Sequence, residues 1–278
     1  MTMQNDYGTV SFRAFLESAG VEPEAIRAIE CFEAEDDYRA GVKALSESDE
    51  SFLRFAEGRS PLFALFFFAR RAYETRSEWQ RRGIPFFVWR DTFTDLGIWQ
   101  RVCRRERGIL GISETAWLLN HLNLRIFRLG RLQFAPDSVS VGQTVEFSAA
   151  GGPSLSLGER FYWVHIPEGE SLTREFCDDS FALAAEFFGG RMVFACDSWI
   201  LSPALRTLFR QDSNLAAFAR RFKIVSFCAD SRSAERYLFG KIGDPACYSE
   251  DTSLQRAAKK YLLEKGALGT GLGIFEYI

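Results

Sequence analysis

The hydrophobic pattern changes near residue 124, and this change constrains the fold more than any other feature of the sequence. Before it, helix starts at Ser11, Pro23 and Pro61 are each followed by apolar residues three or four positions apart, as amphipathic helices require. After it, short runs of β-branched and aromatic residues are bounded by Gly, Pro, Ser and Asn. The sequence therefore predicts a helical bundle first and a sheet in the second half.

The second half predicts a sheet whose later strands alternate with helices. The predicted strands are 124–134, with a bulge at Leu129-Gly130, then 141–147, 161–166, 192–196, 223–228 and 271–278. Helices are predicted after Thr173, at Pro203, after Ser213 and after Thr252 or Ser253. Three strands joined by short turns, followed by helix and strand in alternation, are typical of an α+β domain with a mixed sheet.

The segment 85–122 joins the two halves. Residues 85–89 (PFFVW) form a short β-prone run, and two helices are predicted after it, the second capped by Ser113. We predict a helical N-terminal domain over 1–122 and an α+β domain over 123–278. In the alternative, 85–122 completes the second domain as one strand and two helices.

Composition and charge oppose several classes of function. A net charge of −3 and only two histidines disfavour a nucleic-acid binder and a multi-histidine metal site. The N-terminus MTMQNDYGTV lacks the basic and apolar regions of a signal peptide, and the apolar run 62–69 is too short to span a bilayer. The six cysteines include no CxxC pair. We expect a cytoplasmic protein with reduced, buried thiols and no metal, nucleic-acid or membrane partner.

Several phrases of the sequence resemble one bacterial family of acyltransferase-domain proteins. They are WLLNHLNLRIFRLGRLQF (117–134), HIPEGESLT (165–173), CDSWILSP (196–203), SNLAAFARRF (213–222) and TSLQRAAKKYL (252–262). That family pairs a helical N-terminal domain with a GNAT-like C-terminal domain, the fold of CoA-dependent N-acyltransferases. The resemblance implies an α/β sandwich with a mixed central sheet, and transfer of an acyl group from acyl-CoA or acetyl-CoA to a small-molecule or peptide amine.

In the GNAT fold the acyl-CoA lies where the strand equivalent to 161–166 splays from its neighbour. Its pyrophosphate accepts hydrogen bonds from amides of the loop that opens the next helix, here 168–173, where the helix dipole also favours an anion. The resemblance therefore implies a set of cofactor-binding residues: Val164, Ile166, Gly169, Ser171, Thr173 and Asn214.

The sequence departs from the family pattern at two places. The usual cofactor loop is glycine-rich and led by Gln or a basic residue, whereas here Gly169 lies between Glu168 and Glu170. The usual Tyr, which protonates the departing thiolate, is expected shortly after Asn214, where Arg220 and Arg221 stand instead.

Three residues are candidates for catalysis. His165 ends a strand beside the expected cofactor cleft, and its ordinary pKa suits a general base, although a buried structural histidine has the same pattern. Glu168 is a second candidate base or a ligand for a cationic amine, although acidic residues are also common before a helix. Ser198 follows the fifth predicted strand and could replace the missing Tyr, or it could belong to a turn.

Three functions remain open at this point. The leading hypothesis is an N-acyltransferase. The alternative is a non-catalytic binding module for a small molecule or a protein that keeps the fold and has lost CoA chemistry, which the acidic loop and the missing Tyr favour. A thioester hydrolase is a third possibility, weakened because no GxSxG motif surrounds Ser198.

Overall fold

The computed structural model describes Tyr7 and residues 10–140, 153 and 155–278. The chain divides into two compact units. Unit 1 contains the described residues up to Leu129 together with Pro167–Gly169, and unit 2 contains those from Gly130 to Ile166 and from Glu170 to Ile278. The predicted strand 141–147 lies outside the described residues.

Unit 1 is helical, with one short strand at its end. Its helices are α1 (Phe12–Ser18), α2 (Pro23–Glu30), α3 (Glu35–Glu47), α4 (Asp49–Ala56), α5 (Pro61–Glu74), α6 (Arg76–Arg81), α7 (Phe86–Thr92), α8 (Asp95–Arg107) and α9 (Thr115–Leu122), followed by strand β1 (Phe127–Leu129). The predicted helix starts are confirmed: the Ser11 side chain caps α1, and Pro23 and Pro61 occupy the first positions of α2 and α5.

Aromatic side chains build the core of unit 1 and account for much of the Phe content. Phe15 stacks on Trp89 with ring centroids 4.8 Å apart, and Phe52 stacks on Phe67 at 4.5 Å. All four residues are at most 1% exposed. Offset aromatic pairs of this kind stabilise a core beyond the area they bury, by about 0.5–1.5 kcal/mol each.

The strand predicted over 85–89 is wrong, because residues 86–92 form helix α7. Pro85 precedes the helix with extended backbone, and Val88, Trp89 and Thr92 fall on one buried face. The Trp89 indole N–H donates to the Ala72 carbonyl at 3.3 Å. Packing of this face against the rest of unit 1 outweighs the β propensity of the run PFFVW. The alternative in which 85–122 supplies a strand to the second domain is therefore wrong as well.

Unit 2 combines a mixed sheet with helices. It contains β2 (Leu132–Ser138), β3 (Arg160–His165), α10 (Arg174–Phe188), β4 (Met192–Ser198), a 3-10 turn (Trp199–Leu201), α11 (Pro203–Leu208), α12 (Asn214–Ala219), β5 (Lys223–Cys228), α13 (Ser233–Phe239), a second 3-10 turn (Pro245–Cys247), α14 (Ser253–Lys265) and β6 (Thr270–Tyr277). Its strands lie in the order β2-β3-β4-β6-β5. Only β3 and β4 run parallel, and the other neighbours are antiparallel. The predicted α+β class with a mixed central sheet is confirmed.

The segment 124–134 was predicted to be one bulged strand, but it contains β1 and the start of β2. A turn at Gly130-Arg131 separates β1 from β2. Gly130 has φ +69°, and a Cβ there would lie 2.8 Å from the Ser180 hydroxyl. The slip in the alternating pattern therefore marks the turn of a hairpin, for which glycine supplies both the conformation and the space.

Helix α10 packs on one face of the sheet in unit 2. Thr173 caps it, and Phe181 projects from it to Phe134, Phe194 and Phe275, with ring centroids 4.9–5.8 Å apart. The opposite face carries a separate apolar cluster, to which Phe161, Val193, Ala195 and Ile274 belong. Since β3 and β4 contribute to both clusters, their alternate side chains point to opposite faces.

The cysteines differ in part from what the composition predicts. All six cysteines are free thiols, but only Cys103, Cys177 and Cys196 are buried, so the expectation of buried thiols is wrong for Cys31, Cys228 and Cys247, which are exposed. Within the described residues, no helix is both long enough and apolar enough to cross a bilayer. No group of three or more His, Cys, Asp or Glu side chains in that part of the chain is arranged to hold a metal ion.

Candidate active site

The parallel pair β3 and β4 separates at its carboxyl end. Its register consists of Tyr162 opposite Phe194 and Trp163 opposite Ala195, and goes no further. Beyond that point β3 stays paired with β2 through His165, and β4 stays paired with β6 through Ser198. Each strand therefore continues on its outer side while the ladder between them ends. We call the interval between the strand ends, residues 164–166 and 196–198, the slot.

Strand alternation assigns the side chains of the slot to two faces. His165 lies two residues after Trp163 and Asp197 two residues after Ala195, so both lie on the face of the Phe161 cluster. Val164 and Cys196 lie on the opposite face, which α10 covers, and both are buried. The slot consequently carries a histidine on one strand and a carboxylate on the other on one face, whereas Ser198 at the end of β4 lies on the face of Val164 and Cys196.

The segment from β3 to α10 begins in unit 1 with Pro167, Glu168 and Gly169. Both carboxylate oxygens of Glu168 accept hydrogen bonds from Arg105, at 2.6 and 3.1 Å. A bidentate pair of this kind holds the carboxylate in place and neutralises it. Gly169 has φ +122°, a conformation that side-chain-bearing residues rarely adopt, and the space around its Cα is open.

The rest of the segment, in unit 2, is fixed by Arg131. Its Nε and one terminal nitrogen donate to the Glu170 carbonyl at 2.9 and 2.6 Å, and its own amide donates to the Ser180 hydroxyl at 2.8 Å. The Arg131 side chain is 5% exposed, so these bonds are shielded from water. The Arg131 side chain therefore holds the loop at the Glu170 carbonyl, and the Arg131 backbone amide joins the same residue to Ser180 of α10.

The loop ends at the N-terminus of α10. The Thr173 hydroxyl accepts from the Phe176 amide at 3.2 Å. The helix amides before Phe176 have no intrahelical partner, because no turn of the helix precedes them. Ser171 is exposed just before this cap. Exposed amides at the start of a fifteen-residue helix attract an anion, as the resemblance implies for the pyrophosphate.

The end of β4 supplies three polar side chains. The Ser198 hydroxyl accepts from the Ile200 amide at 3.2 Å, so it caps the 3-10 turn that follows the strand. Burial raises the pKa of the Cys196 thiol, which opposes a nucleophilic role at neutral pH. The protein atoms around the Asp197 carboxyl raise its pKa, and a hydrogen bond from Thr270 partly offsets that effect. The Asp197 residue nevertheless retains an exposed surface.

The remaining predicted cofactor residue, Asn214, is exposed at the first position of α12. The two arginines that replace the usual Tyr have structural partners. Arg221 pairs with Asp178 of α10 at 2.5 Å, and Arg220 donates to the Gln211 carbonyl at 2.9 Å. Both guanidinium groups are thus held within unit 2.

The second histidine, His121, belongs to a buried network in unit 1. Its Nε2 lies 3.0 Å from the Asp95 carboxylate, which also accepts from the Trp117 indole at 2.9 Å. Burial opposes ionisation of Asp95, but contacts with His121, Trp117 and Arg128 outweigh it and lower the pKa of Asp95. His121 is fully buried, and a group enclosed in this way holds the helices together rather than meeting a substrate.

Comparison with known families identifies the chain. The sequence pattern of the GNAT-like C-terminal domain matches residues 126–275, which is more than half of the protein. The chain belongs to this GNAT-like family. The pattern described as N-acyltransferase N-terminal domain matches residues 11–124. The recognition made from the sequence phrases is therefore confirmed.

Solved structures share the complete fold of this GNAT-like protein. One is an acyltransferase in complex with decanoyl-CoA and teicoplanin, with 24% identity, a TM-score of 0.76, and coverage of 95% of this chain and 87% of the other. Another is an acyltransferase mutant in complex with octanoyl-CoA, with 23% identity, a TM-score of 0.75, and coverage of 96% and 87%. No curated protein matches the sequence.

Two residues beside the candidate site give little signal in the sequence. Arg131 follows Arg125 and Arg128 at intervals of three residues, a pattern that gives no sign of its bond to the Glu170 carbonyl. The sequence predicts a strand that ends at Cys196, whereas β4 continues through Asp197 to Ser198. Only the register between β3 and β4 reveals that Asp197 and His165 share a face.

Proposed function

We propose that this protein is an N-acyltransferase that moves an acyl group from acyl-CoA to an amine. The observation that supports this most directly is the end of the β3–β4 ladder at Trp163 and Ala195, immediately before the loop that leads to α10. An extended thioester fits between strand edges that no longer pair, with its anionic end toward exposed helix amides. Val164, Ile166, Gly169, Ser171, Thr173 and Asn214 are the residues we propose for cofactor binding.

The chemistry of the transfer requires few protein groups. The amine nitrogen attacks the thioester carbonyl carbon, a C–N bond forms, and the C–S bond breaks to release the CoA thiolate. A backbone amide directed into the slot would stabilise the negative charge that develops on the carbonyl oxygen. Holding both substrates in the slot supplies much of the remaining rate enhancement by proximity.

We propose His165 as the base that takes a proton from the attacking nitrogen. It lies at the slot, and its ordinary pKa is close to neutrality. Glu168 is less suited to this role because the Arg105 guanidinium occupies both of its oxygens. Ser198, the last slot residue of β4, is the proposed proton donor to the CoA thiolate in place of the missing Tyr, since its hydroxyl proton is not used by the cap it forms.

One support for the alternative, a binding module without CoA chemistry, is weakened. The carboxylates of Glu168 and Glu170 favoured it because they would repel a pyrophosphate, but Arg105 neutralises Glu168. The structures with decanoyl-CoA, octanoyl-CoA and teicoplanin favour a fatty acyl donor and an amine of a small molecule or peptide as acceptor. We also propose a cytoplasmic location, where acyl-CoA is available.

Titration with acetyl-CoA, octanoyl-CoA and decanoyl-CoA, followed by calorimetry and by thermal unfolding, tests this function. We expect saturable binding, with a rise in melting temperature that grows with ligand concentration. We expect His165→Ala to keep that binding and to lower acyl transfer about 10²- to 10⁴-fold. No binding of any of the three thioesters would instead support the binding module, and unchanged turnover would remove His165 from the mechanism.

A further inference from the structure

Acylation of an amine requires the removal of two protons from its nitrogen. An alkylamine is an ammonium ion at neutral pH, and the amide product carries one hydrogen on that nitrogen. One proton must leave before attack, because the ammonium ion has no lone pair. The second leaves after the C–N bond forms and can be delivered to the CoA thiolate. If His165 takes the second proton during attack and passes it on toward the thiolate, the first proton still needs an acceptor in the site.

The slot offers a second acceptor on the strand opposite His165. In the parallel register, Trp163 stands opposite Ala195, so His165 and Asp197 occupy equivalent positions two residues further along. Both lie on the same face of the sheet, one on each strand. Asp197 is exposed and His165 half-buried, so an amine approaching from this face meets the carboxylate first.

We propose that Asp197 binds the protonated acceptor amine at the slot and takes the proton that the amine must lose before attack. This assignment rests on the proposed acyltransferase function. Asp197 acts on the ammonium ion, and His165 then takes the second proton from the nitrogen as the C–N bond forms and the C–S bond breaks. Ser198 donates its hydroxyl proton to the CoA thiolate, the second proton passes from His165 to restore that hydroxyl, and the first proton passes from Asp197 to water.

The surroundings of Asp197 suit this role. Thr270, the first residue of β6 and 8% exposed, donates a hydrogen bond to the carboxylate and orients it. Asp197 also lies opposite Leu272, whose apolar side chain belongs to the same face. Partial desolvation by the surrounding protein raises the pKa of Asp197, which makes it a stronger proton acceptor than a fully solvated carboxylate.

Two amines that differ in charge test the assignment, with decanoyl-CoA as donor. Hexylamine is protonated at neutral pH, whereas trifluoroethylamine is mostly neutral because its fluorines withdraw electrons. We expect Asp197→Asn to lower kcat/KM for hexylamine about 10²- to 10⁴-fold. For trifluoroethylamine, which has no first proton to lose, we expect a decrease of less than about tenfold. Decanoyl-CoA affinity should stay within about twofold, since the carboxylate does not contact the thioester in this assignment.

Further variants separate a chemical role from a structural one. Asp197→Glu should recover part of the hexylamine activity, and Asp251→Asn, at an exposed aspartate in a loop of the same unit, should leave it unchanged. Thr270→Val removes the hydrogen bond that lowers the pKa of Asp197, so the acidic limb of the hexylamine pH profile should move to higher pH. This variant keeps the test available even where Asp197→Asn fails to fold.

The outcomes distinguish the assignment of Asp197 from the function itself. Equal loss with both amines, or no loss with either, would overturn the role of Asp197 while leaving the acyltransferase function in place. A wild-type protein that acylates neither amine and binds no acyl-CoA would contradict the proposed function, and the role of Asp197 with it.

Discussion

Removing the Arg131 side chain should weaken acyl-CoA binding without removing any group that we place in contact with the ligand. Its guanidinium donates two hydrogen bonds to the Glu170 carbonyl, in the loop that leads to α10. In Arg131→Ala that carbonyl loses both donors, and the loop gains conformations that the wild type excludes. Only the fraction of molecules with the ordered loop can then bind the pyrophosphate.

The magnitude follows from the two bonds. A hydrogen bond from a charged donor contributes about 1.5–3 kcal/mol when shielded from water, and Arg131 is 5% exposed. Because both bonds share one acceptor, we take that range for the pair rather than its double. If the whole of this free energy serves to order the loop, its loss corresponds to about 10- to 150-fold weaker binding. Arg131→Lys, which can still reach the carbonyl with one donor, should lie between the wild type and Arg131→Ala.

Two measurements check this reasoning together. Calorimetry with decanoyl-CoA gives the dissociation constant, and hydrogen exchange of the amides of 170–173 reports whether the loop has become mobile. Arg191→Ala is the matched control, because it also removes a guanidinium of the same unit, one that forms ion pairs with Glu159 and Glu276. If exchange at 170–173 accelerates while decanoyl-CoA affinity stays at the wild-type value, the loop is not the anion site we propose.

Three further substitutions in unit 1 test single interactions. Asp95→Asn breaks a buried hydrogen-bonded pair and should lower the free energy of unfolding, measured in urea, by about 3 kcal/mol. Because the pKa of Asp95 is lowered in the folded protein, the stability it contributes is present above its unfolded pKa and is lost as pH falls through its folded pKa. The variant should therefore lose less stability than the wild type as the pH is lowered. Gly111→Ala would place a Cβ 2.0 Å from the backbone of Pro61 and should cost at least about 2 kcal/mol in the same assay. Arg105→Ala should change stability by less than about 1 kcal/mol. It leaves the Glu168 carboxylate unneutralised, so decanoyl-CoA affinity should fall at low salt and recover at high salt. Affinity should also recover at low salt in the double variant with Glu168→Ala.

Elements whose signals are local were predicted well from the sequence. Thr252 forms a capping box with Gln255, and β3 and β5 lie within a residue of their predicted bounds at 160–165 and 223–228. A helix cap depends on residues three positions apart, and the composition and alternation of a short run indicate a strand. Such features need no knowledge of the partner element.

Elements decided by distant packing were not predicted. The run PFFVW has strand composition, but its helix is fixed by contacts such as that between Trp89 and Ala72, which are distant in sequence. Arg105 and Glu168 are 63 residues apart, and each alone looks like a surface charge. The sequence shows that Glu168 adds negative charge to the loop, but only the fold shows that the Arg105 guanidinium neutralises it.

The proposed active site depends on both kinds of information. His165 could be proposed from the sequence, because it ends a recognisable strand and begins a family phrase. Asp197 could not be proposed in that way, because its proposed role depends on which strand lies beside β3, on the direction of that strand, and on where the pairing stops. With the same sequence, a register shifted by one residue would have turned Asp197 to the other face, and an antiparallel neighbour would have placed it opposite Phe161 rather than His165. The proposed acid–base chemistry of the slot therefore depends on one parallel register between two strands.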